Sequence, residues 1–253
     1  MAGIHLQSGV IYGPIFSRRL GRSFGINLSS IKRKLCSYNC VYCEYGSAQV
    51  WDSSKTKAEI PDVREVLQHV EHAFKKPRTI DTLTFSGNGE PTLHPDFLEI
   101  VQGVVKLRNN LRPEVSLAIF SNASQVNDPE IFEALQLFDA AMMKLDAGNE
   151  NTFQVINRPA KDVQFSKIVS GLKRFPSLMI QSMLIAGSIS NAEGKAYEDL
   201  ATQLRELNPR EVHVYSIARP PALEDIEAVS PNRLKMIAAD LNTRFHLNAK
   251  GFY

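Results

Sequence analysis

Cysteine is scarce in this sequence, and long apolar runs are missing. Only three of the 253 residues are cysteine, Cys36, Cys40 and Cys43, and all three fall in one stretch of eight. An odd, clustered set excludes a secreted disulfide framework and implies a metal site in a reducing compartment, the cytoplasm. No apolar run approaches the roughly 20 residues that cross a bilayer. Met1 to Val10 also lacks the charged-then-apolar pattern of a secretion signal. Neither a membrane nor export is expected. Charge of one sign is lacking too: 29 Lys and Arg against 27 Asp and Glu leave a formal +2. Composition therefore announces no nucleic-acid partner, although a local basic patch stays open. The one tryptophan, Trp51, either packs over the nearby cysteine loop or anchors at the surface.

What is present is ordinary for a globular chain, with 43% hydrophobic and 22% charged residues. At this length about three-quarters of the unfolded surface is buried, so the fold needs no disulfide or metal for stability. After an irregular start, strand-length apolar runs alternate with segments of helical period. The expected strands are Ser23–Leu28, Thr79–Phe85, Val115–Phe120, Ala140–Leu145, Leu178–Ile185 and Val212–Ile217. The expected helices are Asp62–Phe74, Pro95–Leu107, Asp128–Leu135, Phe165–Phe175, Glu193–Leu207 and a closing Pro231–Phe245. Asp128–Pro129 is a cap followed by a first-position proline. Such alternation implies parallel strands, either an open sheet or a barrel. About six βα units suit an incomplete (β/α)6 TIM-type barrel in a single domain. Its parts are an N-terminal extension over 1–22, a partial barrel over 23–217 and a C-terminal loop with closing helix over 218–253.

The cysteines follow the pattern C-x3-C-x2-C. Thiolates are soft ligands that suit iron–sulfur clusters and zinc. A cubane has four irons, so three protein ligands leave one iron free to chelate a small molecule. A closed zinc site would need a fourth ligand, typically from a second separated pair, and the six histidines are scattered. Simple packing as small apolar residues conflicts with the polar Ser37, Asn39 and Glu44 in the same loop. A second motif, Ser86-Gly87-Asn88-Gly89-Glu90-Pro91-Thr92, follows the second strand. Its glycines let a ligand approach the backbone, and Glu90 can accept from a charged amine. Ser121-Asn122, Lys144-Leu-Asp146 and Ser216 to Arg219 close later strands on the same rim, where parallel barrels build their sites. For Lys144 a solvated strand end is the rival reading, and for Asn122 a local turn cap.

On the cysteine loop and the glycine motif the chain resembles the radical S-adenosylmethionine (SAM) superfamily. The resemblance implies that Cys36, Cys40 and Cys43 hold a [4Fe–4S] cluster and that Tyr42 lies against the adenine of SAM. It further implies that Gly87, Asn88, Gly89 and Glu90 meet the SAM amino group, and that Ser121, Asn122, Lys144 and Asp146 touch its ribose or carboxylate. The implied reaction needs a reducing donor of ferredoxin or flavodoxin type and splits SAM into methionine and a 5′-deoxyadenosyl radical. That radical takes hydrogen from a substrate, which would be a nucleoside, a transfer RNA or a small metabolite. A glycyl-radical activase is a rival within enzymes, and an iron–sulfur sensor or electron carrier is one outside them.

Tyr12 to Asn27, the cysteine loop, Ser86 to Thr92 and Lys144-Leu-Asp-Ala147 together resemble proteins related to the enzymes that form the wyosine base of transfer RNA. Those enzymes carry further cysteines for a second cluster, and this chain has none to spare. Arg18, Arg19 and Arg22 form either an anion site for a phosphate-bearing substrate or structural bonds around the loop.

Overall fold

The computed structural model describes residues 5–46, 57–76, 79–221, 223 and 225–253, so Trp51 lies outside the described residues. The chain opens with an antiparallel hairpin, β1 (Ile11–Ser17) and β2 (Gly21–Ile26). There follow α1 (Val63–Lys75), β3 (Thr82–Phe85), α2 (Phe97–Leu111), β4 (Ser116–Ser121), α3 (Pro129–Leu135) and β5 (Ala140–Lys144). Two short helices, α4 (Glu150–Asn157) and α5 (Phe165–Leu172), lead to β6 (Met179–Gly187), α6 (Gly194–Leu207) and β7 (Glu211–Ser216). The chain closes with β8 (Ile226–Ala228), α7 (Pro231–Arg244) and β9 (Ala249–Phe252).

Local chemistry sets several of these boundaries. Asp62 caps α1 by accepting from the Glu65 N–H at 2.7 Å, with Pro61 just before the cap. Asp128 accepts from the N–H groups of Glu130 and Ile131, and Pro129 takes the first helical position, where no donor is needed.

Strands β2 to β7 pair in chain order, all parallel, and β9 adds in parallel to β7. Because each strand joins the same edge, the crossovers never reverse; the sheet curls with its helices outside, an incomplete barrel of the expected kind. β1 and β9 end the path without pairing to each other. Alternation along the strands then sorts side chains between two environments. Phe24, Leu83, Phe85, Leu117, Ile119, Ile180, Val212 and Val214 join the apolar core. Ser23, Thr84, Phe120, Lys144, Gln181 and Tyr215 line a cavity inside the curl.

Three expectations need correction. The N-terminal stretch is not irregular throughout, because β1 pairs with β2 and puts Tyr12 against Ser86 with their hydroxyls 2.6 Å apart. The region after the sixth barrel strand holds two further strands besides its helix. The segment between β5 and α5, read as connection, contains α4, capped by Asn149 through the Thr152 N–H at 2.9 Å.

Candidate functional site

The cysteine loop leaves the end of β2 and is pinned on two sides. Leu35 bridges to Gly89, with the Leu35 N–H donating to the Asn88 carbonyl at 3.2 Å and the Glu90 N–H to the Leu35 carbonyl at 3.0 Å. A Cβ on Gly89 would lie 1.7 Å from the Leu35 oxygen, so only glycine permits this approach. On the other side the Asn39 and Val41 N–H groups donate to the carbonyls of Asn157 and Ile156, where α4 ends. The Cys43 N–H closes a tight turn on the Cys40 carbonyl at 3.0 Å. The two motifs noted in the sequence are therefore hydrogen-bonded to each other.

All three thiols line the same cavity of about 690 Å³. N–H groups point at two of the sulfurs. Cys36 Sγ receives the Tyr38 N–H at 3.4 Å and Asn122 Nδ2 at 3.6 Å, and Cys40 Sγ receives Asn157 Nδ2 at 3.4 Å. Burial pushes the Cys36 thiol up to about 12 against the opposing Lys34, and burial likewise raises Cys40 against Lys144. These groups therefore stay protonated until a cation takes the proton's place. Among the described residues no group of three or more His, Cys, Asp or Glu is placed to hold a single metal ion. Three soft donors from one loop facing one cavity are the number that a cubane with one open corner takes from the protein. Soft donors, nearby N–H groups and a shared cavity fit a cluster.

Glu90 is buried and accepts four hydrogen bonds. Oε1 takes the Thr92 N–H, the Thr92 hydroxyl and the Ser121 hydroxyl, and Oε2 takes the Asn122 N–H at 2.6 Å. Burial raises its pKa, with the Asn122, Thr92 and Ser121 donors pulling the other way. Oε1 is crowded with three donors, whereas Oε2 carries one and keeps a lone pair for a further donor from the cavity. Asn122 serves two ends at once: its Oδ1 caps the Ser124 N–H at 2.9 Å while Nδ2 faces Ser37 and Cys36.

Asn88 and Asp146 do not line the cavity, unlike the other residues expected to hold the cluster or touch SAM. Asn88 binds the Gln7 backbone on both sides and the Ser30 carbonyl, so it fastens the N-terminal segment under the loop. Asp146 is fully buried and gathers the Met183 N–H, Asn157 Nδ2 and the Tyr42 hydroxyl, with Lys144 Nζ at 3.6 Å. Lys144 also donates to the Tyr215 hydroxyl at 3.1 Å. Burial acts to lower the Lys144 pKa, but Asp146, Tyr215 and Cys40 outweigh it and hold the ammonium charged. Tyr42 is thus positioned by its hydroxyl, and the residue lines the cavity with Lys144 Nζ 5.2 Å from its ring centre. Arg219 pairs with Glu44 at 2.9 Å, while Ser216 bonds the Leu184 carbonyl and the Val229 N–H within the sheet.

Sequence reasoning passed over Asn157, Asn27, Lys34 and Tyr215. Asn157 touches Cys40, Tyr42 and Asp146, yet it sits at a helix end with no motif around it. Asn27 Oδ1 accepts from the N–H groups of Ser29 and Asn88. Lys34 is near enough to the cysteines that they raise its pKa despite the opposing burial, a partnership its place two residues before Cys36 could have flagged. Tyr215 alternates with Val212 and Val214, and period-two patterning puts it inside.

The model of the radical SAM superfamily matches residues 33–189. A UPF0026 protein of Helicobacter pylori is 32% identical over 222 residues, covering 85% of this chain and 68% of that protein. A Brachyspira hyodysenteriae protein named GTPase Obg is 28% identical over 235 residues, covering 91% of this chain and 33% of that protein. The chain thus spans a third of the length of one relative and about two-thirds of the other. Among solved structures, TYW1 with a lysine–pyruvate adduct bound superposes with a TM-score of 0.62 at 15% identity, covering 87% of this chain and 73% of that one. That likeness shows the fold. The family match runs from just before the cysteine loop to the end of β6, and the chain belongs to the radical SAM superfamily, a superfamily of enzymes, and within it to the UPF0026 proteins.

Proposed function

We propose that the chain is a radical SAM enzyme whose Cys36, Cys40 and Cys43 hold one [4Fe–4S] cluster with an iron left free for SAM. The observation that carries this reading is the shared cavity. Three thiols of one loop open onto the space bordered by Glu90, Asn122 and Lys144. A reduced cluster in that place supplies the electron that splits SAM into methionine and a 5′-deoxyadenosyl radical able to take hydrogen from a substrate.

The chain's own residues bind and orient. The remaining lone pair of Glu90 Oε2 accepts from the SAM amino group, while Gly87 and Gly89 line the cavity beside it, their missing side chains admitting Asn27 and the Leu35 carbonyl. Ser121, Asn122 and Lys144 border the ribose and carboxylate, with Lys144 offering the positive charge. Tyr42 presents its ring to the adenine while Asp146 and Asn157 fix its hydroxyl. Asn88 acts indirectly, by holding the loop. Asn122, Asn157 and the Tyr38 N–H stabilise sulfur charge through hydrogen bonds. An electron donor of ferredoxin or flavodoxin type completes the system, and the substrate is a nucleoside, a transfer RNA or a small metabolite.

The test is anaerobic reconstitution of the full chain. Expected are a [4Fe–4S] resonance on reduction, a change in that resonance when SAM is added, and formation of 5′-deoxyadenosine. Alanine at Cys36, Cys40 or Cys43 should remove all three. Reconstituted wild-type protein that holds a cluster yet neither responds to SAM nor forms 5′-deoxyadenosine would refute the proposal.

A further inference from the structure

The three arginines near the N-terminus have separate fates. Arg22 stays at the surface, donating to both oxygens of Asp81 through Nε, Nη2 and its backbone N–H. Arg18 and Arg19 line the cavity, Arg18 at its exposed margin. Arg19 sits in the turn between β1 and β2, which the Ser17 hydroxyl staples by accepting from the N–H groups of Arg19 and Leu20 at 3.2 Å. Thr82 ties the same turn to β3 by donating to the Leu20 carbonyl at 2.8 Å. β2 runs parallel to the later barrel strands, so this turn lies at the end of the barrel opposite the cysteine loop.

From that turn the Arg19 side chain crosses the lumen. Its guanidinium carbon lies 4.3 Å from the centre of the Phe120 ring on β4 and 4.5 Å from that of Tyr215 on β7. Nη1 donates to Gln181 Oε1 on β6 at 3.0 Å, and the Tyr215 hydroxyl lies within reach. Two neutral acceptors serve five N–H donors. No carboxylate among the described residues pairs with Arg19, whose pKa is lowered by burial first and by Arg18 as well. None of its nitrogens is among the buried atoms that lack a partner, so its spare donors open into the cavity.

Apart from Arg18 at the exposed margin, the other charges bordering this space are engaged. Lys144 has Asp146, Arg219 has Glu44, and Glu90 holds four donors. A partly buried guanidinium without a counter-charge is costly, and an anion restores the balance with two parallel hydrogen bonds. The two rings fix the guanidinium plane and present its fork inward. Lys144 donates to the same Tyr215 hydroxyl, so an anion beside that tyrosine meets a second cation. Phe120 stands two residues before Asn122, toward the barrel floor and away from the rim that borders the proposed SAM site.

We propose that Arg19 anchors an anionic group of the substrate, a carboxylate or a phosphate, at the floor of the barrel. The substrate inserts this end first, leaving the atom that loses hydrogen toward the cysteine rim. The inference rests on the reading of the cavity as a radical SAM site and names a property of its substrate.

The test titrates the reconstituted full chain with inorganic phosphate and, separately, with acetate, followed by calorimetry. Wild-type protein should bind at least one probe with a millimolar dissociation constant, and the tighter probe identifies the group. Arg19→Met should weaken that binding at least tenfold, and Arg22→Met should leave it as in wild type. Where Arg19→Met does not fold, Arg19→Gln, which keeps hydrogen-bonding groups without the charge, should show the same tenfold loss. Wild-type protein that binds neither probe, or an Arg19 variant that binds as tightly as wild type, overturns the proposal. Iron content and the SAM-dependent resonance report on the rim independently, so failure at the floor and failure at the cluster are told apart.

Discussion

Glu90→Gln tests whether the buried carboxylate is the structural joint between β3, β4 and the cysteine loop. Each carboxylate oxygen receives a backbone N–H, from Thr92 on Oε1 and from Asn122 on Oε2. An amide has only one acceptor oxygen, so whichever way it turns its NH2 group faces one of those donors. The variant loses a charge-assisted hydrogen bond worth about 1.5–3 kcal/mol and leaves a buried N–H unsatisfied at about 1–3 kcal/mol. Relief of carboxylate burial offsets part of this, leaving a net loss of roughly 2–4 kcal/mol. For a chain of this size that lowers the melting temperature by about 4–16 °C. Urea unfolding at neutral pH, without cluster, measures the difference. A variant within about 0.5 kcal/mol of wild type, the range of neutral surface changes, would refute the four-donor account.

The same pair of proteins carries a pH signature. Burial raises Glu90 above its ordinary 4.5, so the folded chain binds that proton more tightly than the unfolded chain. Wild-type stability from this group is therefore full below the ordinary value and falls as pH rises through the raised one. The advantage of wild type over Glu90→Gln should shrink across that interval and level off above it; an advantage that grows would contradict the sign. Gly89→Ala drives a methyl into the Leu35 carbonyl and should cost about 3 kcal/mol or more, with poor iron incorporation. Gly46→Ala meets open space and should cost only its left-handed backbone, about 1–2 kcal/mol, in the same unfolding assay. Asp146→Asn leaves the Lys144 ammonium without its counter-charge and should cost about 3–5 kcal/mol. Adding Lys144→Met should recover at least about 1 kcal/mol, and a double variant no better than the single would show that the two charges are uncoupled.

The sequence by itself determined the elements whose signals are local. Period and capping placed most strands and helices within a few residues, as at Asp128, because caps and amphipathic faces are properties of neighbouring residues. The spacing of Cys36, Cys40 and Cys43 named its chemistry because one loop carries all three donors. β1 escaped because its Gly13-Pro14 interrupts the pattern, and β9 because four residues, Ala249–Phe252, carry too little periodicity to read.

Only the tertiary structure decided the rest, because pairing across the barrel joins residues far apart in the chain. Strand order alone separates a curled barrel from an open sheet, and no local pattern encodes it. Asn88 and Asp146 read like ligand contacts in the sequence, but packing buries them behind the cavity wall, where they hold the Gln7 backbone, Tyr42 and Asn157. Arg19 and Arg22 are alike as residues, yet the hairpin turn sends one to Asp81 and the other between Phe120 and Tyr215. Asn157 reaches Cys40 from the end of α4, at a distance of 117 residues along the chain. Such contacts form only once the sheet has curled, since the curl itself brings the strand ends around a common space.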